Sequence, residues 1–187
     1  MVFTKKKATV EDYLKTPEGG GYQLIDGEII DYKALSNGMA TPSSLHQFLA
    51  GYIYAELVYR LKISKLGKIC IAPFGVFLDE ETVLEPDIFF IKKERYSLIE
   101  QKGLVGIPDL VIEILSPSTS YYDTKKKFII YEKYQLPEYW IIDPEDGETK
   151  GYFLTEGKLV QQFQDTYKIT SALLNETLDF KDFNNED

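Results

Sequence analysis

Cysteine is almost missing from this chain: Cys70 stands alone, which excludes an intrachain disulfide. In the strand-like stretch Gly67 to Val76 it reads as a small buried hydrophobe, and no local base marks it as a catalytic thiol. Histidine is equally scarce, with His46 the only one, so no Cys/His cluster suggests zinc. No apolar run approaches the roughly 20 residues of a membrane span. Lys5-Lys6-Lys7 is not followed by the apolar stretch of a secretion signal. The chain is therefore expected in a reducing cytoplasm, neither exported nor membrane-embedded. Positive charge is short as well: 21 Lys and Arg stand against 30 Asp and Glu, a net charge of -9, with an acidic tail at about residues 181–187. The average field of such a molecule repels nucleic acid.

What is present suits one compact domain over residues 1–187, with 44% hydrophobic and 14% aromatic content to build a core. Thr9 followed three residues later by Asp12 has the shape of a capping box and opens a short helix that Pro17 and the glycines after it end. Tyr22 to Ile25 and Glu28 to Tyr32, joined by Asp26-Gly27, predict an N-terminal hairpin with a type I′ turn. Ser43 or Ser44 caps a helix running to about Lys65, because Leu45, Phe48, Leu49, Tyr52, Ile53, Leu57 and Leu61 recur at three- and four-residue steps. Strands are expected at Ile69 to Phe74, Val76 to Leu78 and Ile88 to Ile91, with Asp79-Glu80-Glu81 as a turn and Lys92 to Gly106 irregular.

A buried strand from Leu110 to Leu115, halted by Ser116-Pro117-Ser118, precedes a helix capped by Ser118 or Thr119 and running from about Ser120 to Gln135. The strand Tyr139 to Ile142 follows. Strand, helix, strand is a crossover unit that makes the two strands parallel neighbours in a mixed sheet. A last hairpin, Thr149 to Leu154 and Lys158 to Phe163 through Glu156-Gly157, leaves a short terminal segment. The fold class is α/β (α+β).

Chemistry concentrates where acids interrupt apolar strands. Glu85-Pro86-Asp87 precedes Ile88 to Ile91, and Pro108-Asp109 precedes Leu110 to Leu115 with Glu113 inside it. A carboxylate buried without a partner costs several kcal/mol, so Glu113 implies a salt bridge or a metal. Strand alternation sends Asp109, Val111 and Glu113 to one face. Asp123 and Lys127 lie four apart on the next helix, and Lys127, Tyr131 and Tyr134 form a stripe that sets an ammonium and a phenol over the carboxylates. Asp87 and Glu113 form an oxygen pair suited to Mg²⁺ or Mn²⁺. His46, in the first turn of its helix, reads as peripheral.

These residues resemble the Uma-type restriction endonucleases of bacteria, within the PD-(D/E)XK nuclease-like superfamily. The resemblance rests on Tyr22 to Glu28, His46, Glu85-Pro86-Asp87, Pro108 to Ser118, Asp123, Lys127, Tyr131 and Pro137 to Asp143. It implies a restriction-endonuclease-like core, Asp87 and Glu113 as metal ligands, Lys127 as the catalytic lysine, and DNA as substrate. Glu28, His46, Asp109 and Tyr131 are supporting candidates. The lysine expected two residues after the acid is absent, since Leu115 stands there, so Lys127 takes its place from the helix; Gln23 stands where the family often has Glu. A homodimer is compatible with cutting both strands.

Two readings remain from the residues. One is a Mg²⁺-dependent DNA endonuclease, with a local basic groove of Lys62, Lys65, Lys68 and Lys125 to Lys127 overriding the negative average. The other is a catalytically silent module that binds nucleic acid or a protein, with a Glu113–Lys127 ion pair and no metal.

Overall fold

Every residue of the strand carrying Glu113 is buried, because that strand lies inside a six-stranded sheet covered on both faces. The computed structural model describes residues 6–17, 19, 21–35, 43–116 and 120–183. The expected strand stop at Pro117-Ser118, the cap at Ser118 or Thr119 and the end of the acidic tail lie outside them.

The chain opens with α1 (Val10–Tyr13), β1 (Tyr22–Ile25), β2 (Glu28–Asp31), α2 (Tyr32–Leu35) and α3 (Ser44–Ser64). Then come β3 (Gly67–Ile71), β4 (Val76–Asp79), β5 (Thr82–Leu84), β6 (Ile88–Lys92), a 3-10 turn (Lys93–Leu98), β7 (Ile99–Glu100), β8 (Gly103–Val105) and β9 (Leu110–Ile114). A π-helical turn (Tyr122–Lys127) leads into α4 (Phe128–Lys133), followed by β10 (Glu138–Ile142), β11 (Glu148–Thr155), β12 (Lys158–Thr166), β13 (Lys168–Ser171) and β14 (Glu176–Asp179).

The central sheet has the order β12-β11-β10-β9-β6-β3, and β9 and β10 are parallel with Glu113 opposite Ile141, as the crossover unit requires. β6 runs antiparallel to β9 with Ile88 opposite Ile112, which brings Asp87 level with Glu113 where β6 begins. Alternation then divides the core. Ile112, Ile114, Phe90 and Trp140 face Leu49, Ile53, Leu57 and Leu61 of α3. Val111, Phe89 and Ile141 face Tyr131 and the second sheet. Glu113 has the parity of Val111 and points to the α4 side.

Local signals account for several elements. Asp12 accepts a hydrogen bond from the Thr9 N–H at 3.1 Å. Ser43 accepts from the His46 N–H at 3.2 Å and caps α3, and Lys65 ends it in the left-handed region at φ 57. Asp26 and Gly27 have φ 50 and 82, the two positive values a type I′ hairpin demands.

Other elements depart from expectation. The N-terminal hairpin joins a second six-stranded sheet of order β2-β1-β5-β4-β8-β7. Thus β4 leaves the central sheet, and β5, too short to display a period, is added beside it. The stretch Lys92 to Gly106 holds the 3-10 turn and the β7/β8 hairpin; Gly103, at φ 144, lies so close to the Gly75 carbonyl that a Cβ has no room. The crossover helix begins with a π-helical turn. The terminal segment forms the β13/β14 hairpin, which buries Leu178 and Phe180. Among the described residues no helix is long and apolar enough to cross a membrane.

Candidate active site

Glu113 is 1% exposed and has two close partners, both from the crossover helix. Lys127 Nζ donates to its Oε1 at 2.9 Å, and the Tyr131 hydroxyl donates to the same oxygen at 2.9 Å. Lys127 Nζ also lies 2.9 Å from Oδ1 of Asp123. The Tyr139 hydroxyl donates to the Asp123 carbonyl at 2.9 Å and ties the π-helical turn to the sheet. A π turn carries one more residue per loop than an α-helix and re-aims the side chains around it; here it delivers a lysine onto a carboxylate in the sheet beneath.

One ammonium thus serves two buried carboxylates. Burial pulls the Lys127 ammonium down, but Asp123 and Glu113 outweigh it and hold it well above the usual lysine range. Burial pushes the Glu113 carboxyl up to about 8, ahead of the opposing pull of Lys127, with the charges of Asp123 and Asp87 adding to the rise. Tyr131 is likewise driven well up, by burial first and by Glu113 second. The neighbouring acids therefore favour the charged form of Lys127, while burial favours the neutral form of Glu113.

Asp87 meets this cluster around the end of β6. Its Oδ2 accepts from the Ile114 N–H at 2.7 Å and lies 3.2 Å from Nε2 of His46, while its own N–H reaches Oε2 of Glu113 at 3.4 Å. Burial lowers the affinity of His46 for a proton, but the hydrogen bond and charge of Asp87 overcome this and raise it. His46 is 5% exposed, and its Nδ1 is buried without a hydrogen-bond partner among the described residues. The histidine read as peripheral is thus one wall of the site, and its helical position alone could not show which way the ring turns.

The structure unites Asp87, Glu113, Lys127, Tyr131 and His46, and separates the remaining candidates. Asp109 stands four residues before Glu113, about 13 Å along a strand. Its carboxylate accepts from the Lys92 N–H at 2.8 Å and pairs with Arg95 at 2.9 Å, so it fastens the 3-10 turn. Glu28 is exposed on β2, in the other sheet. The lysines do not form one groove: Lys62 lies 16 residues beyond His46, about 24 Å along α3, and Lys127 is buried and doubly paired. Asp123 is the site residue to which the sequence assigns no role beyond its place four residues before Lys127 and among the residues that carry the resemblance. Its spacing from Lys127 was the available signal, and the π turn made it part of the cluster.

Asp87 and Glu113 suit a hard divalent cation by donor chemistry, as two oxygen ligands from adjoining strands. The raised Glu113 carboxyl and the unpartnered His46 Nδ1 fit a site completed by a further charged group. Among the described residues no cluster of three or more His, Cys, Asp or Glu side chains forms a ready cage; Mg²⁺ retains waters and needs few protein oxygens.

Comparison with known proteins bears on the family and the fold. The family described as "Uma2: Putative restriction endonuclease" matches residues 10–179. No curated protein matches. Among solved structures, a putative nuclease belonging to DUF820 from Anabaena variabilis superimposes with a TM-score of 0.71 at 20% identity, covering 94% of this chain and 96% of that one. That likeness supports the fold.

Proposed function

This chain belongs to the Uma2 family, described as "Putative restriction endonuclease", and from that premise we propose that it hydrolyses DNA phosphodiester bonds with a divalent cation held by Asp87 and Glu113. The observation that carries the reading is the meeting of Asp87, Glu113 and the helix-borne Lys127 where β6 begins. When bound, the cation supplies Lewis-acid polarisation of the phosphate.

The chain's own residues do the rest. Lys127, held charged by Asp123, sets a fixed ammonium beside the charge that develops on the phosphoryl oxygens. Tyr131 and Lys127 together occupy Oε1 of Glu113, so the carboxylate is oriented with Oε2 toward Asp87. The Ile114 N–H and His46 fix Asp87 Oδ2 in the same way. His46 is placed to hold or release a proton at Nε2.

One observation favours the silent-module reading: Lys127 is buried, and its ammonium is already taken up by contacts at 2.9 Å to both Glu113 and Asp123. The deciding experiment is nicking of plasmid and single-stranded DNA with Mg²⁺ or Mn²⁺, alongside thermal melting with and without the metal. Cleavage and stabilisation that both vanish in Glu113→Gln support the nuclease. A wild-type chain neither stabilised by millimolar metal nor active supports the silent module.

A further inference from the structure

Two residues before Asp87, Glu85 lines a cavity of about 750 Å³, within the size range of small-ligand sites. Tyr13 of α1, Tyr22 of β1 and Phe74 from the loop before β4 line it as well, all three half-buried. Tyr13 packs at 79° against the buried Phe77 of β4, with ring centres 6.1 Å apart. The walls are therefore rich in aromatic faces, the surfaces on which nucleic-acid bases stack.

The cavity is built onto the candidate active site. At most about 7 Å of backbone separates Glu85 from Asp87. The Ala72 N–H donates to the Asp87 carbonyl at 2.9 Å, which ties the wall formed by Pro73, Phe74 and Gly75 to that residue. Phe74 also packs edge-to-face on Phe89, two residues beyond Asp87, with ring centres 5.2 Å apart. A DNA strand whose phosphate lies at Asp87 therefore has the base of an adjoining nucleotide within reach of the cavity.

Charge narrows what can enter. Glu85 and Glu100 face one ammonium, Lys102, which lies 3.7 Å from Glu100 and over the Phe77 ring. A phosphate inside would meet more negative than positive charge, whereas a neutral planar group with N–H donors would not. The Tyr13 hydroxyl donates to Oε1 of Glu85 at 3.1 Å, and Oε2 has no partner among the described residues.

Resting on the nuclease reading, we propose that this cavity holds an unpaired base of the substrate strand, stacked on the half-buried rings and read by Glu85 through the exocyclic amine of cytosine or adenine. A carboxylate accepts from such an amine and is repelled by the O4 carbonyl that thymine presents instead. A base paired inside a duplex cannot enter, so the substrate is a single strand or a locally opened duplex.

The probes are deoxycytidine and thymidine, neutral nucleosides of similar size that need neither a metal nor a phosphate. The isotope-labelled full chain is titrated with each in a chelator, and the amide resonances are followed. Deoxycytidine is expected to move the amides of Tyr13, Phe74, Gly75 and Glu85 with a dissociation constant of about 1 mM, and thymidine to bind about tenfold more weakly. Glu85→Gln, whose amide can donate to O4, is expected to bring the two nucleosides within about twofold of each other. Phe74→Leu is expected to weaken both about tenfold and to keep their ratio, since it removes a stacking face and no hydrogen bond. No binding at about 10 mM, shifts elsewhere on the chain, or a preference that survives Glu85→Gln overturns the proposal. Nucleoside binding here by a chain that nicks no DNA supports the base site and overturns the nuclease reading alone; nicking by a chain whose cavity takes neither nucleoside overturns the base site alone.

Discussion

Glu113→Gln is expected to stabilise the metal-free protein at alkaline pH, although it removes one half of a buried ion pair. The Glu113 carboxyl rises from 4.5 to about 8 in the folded chain. Between those values the unfolded chain has released the proton while the folded chain still holds it. Each pH unit in that window therefore favours the unfolded state by about 1.4 kcal/mol, and the full span comes to about 5 kcal/mol. The stability associated with Glu113 is present below pH 4.5 and lost as pH climbs toward 8. Glutamine cannot titrate, its amide oxygen still accepts from Lys127 and Tyr131, and Lys127 keeps Asp123. The raised His46 also loses stability as pH rises, but it does so in both proteins and cancels in the difference.

Urea unfolding of both proteins in a chelator should show the variant gaining roughly 4 kcal/mol on the wild type between about pH 5 and pH 8. With a urea slope in the middle of the usual range, about 2 kcal/mol per M, that moves the midpoints apart by roughly 2 M. Added Mg²⁺ should close the gap, because a cation can replace the proton on Glu113 but finds no second carboxylate in the variant. It should stabilise the wild type by about 3 kcal/mol at a hundredfold excess over its dissociation constant. A stability difference that does not vary with pH would refute the reasoning and assign Glu113 as an ordinary ion-paired carboxylate.

Lys127→Met leaves Glu113 and Asp123 buried against each other without their cation, and it should cost about 3–5 kcal/mol near pH 8 and much less near pH 5, as read by the same unfolding curves. Tyr131→Phe removes one donor to Glu113 Oε1 and should cost about 1–3 kcal/mol while lowering any nicking rate through a less fixed carboxylate. Glu138 is a second buried acid in the same sheet, accepting from Trp140 Nε1 at 2.6 Å and the Leu173 N–H at 3.2 Å. Glu138→Ala should cost about 2–4 kcal/mol by leaving buried donors unpaired, yet it should leave metal-induced stabilisation intact. Asp109→Asn should loosen the 3-10 turn, seen as faster amide exchange over Lys93 to Leu98, without changing any cleavage.

Much of the candidate site could be read from the chain because its logic is periodic. Glu113 lies at an inward position of an apolar strand, and Lys127 and Tyr131 share a helical face, so their convergence follows from two repeat lengths. Asp109 shows the limit of that argument. Alternation places it on the same face as Glu113, but Arg95, brought in by the 3-10 turn, claims its carboxylate. His46 and Asp87 show the converse, since they are 41 residues apart and no local pattern links them.

The sequence by itself determined α3, the type I′ hairpin at Asp26-Gly27, the hairpin through Glu156-Gly157, the parallel pairing of β9 with β10, and the need for a partner to Glu113. Those depend on caps, turn residues and the alternation of apolar side chains, all of which act within a few residues. Tertiary structure alone decided that β4 and β5 leave for a second sheet, that a π turn gives Lys127 two carboxylates, and that Asp87 turns around the start of β6 to His46. Those outcomes depend on which surfaces are desolvated together and on which charges then have no water to face, and both are fixed only when the whole chain has packed.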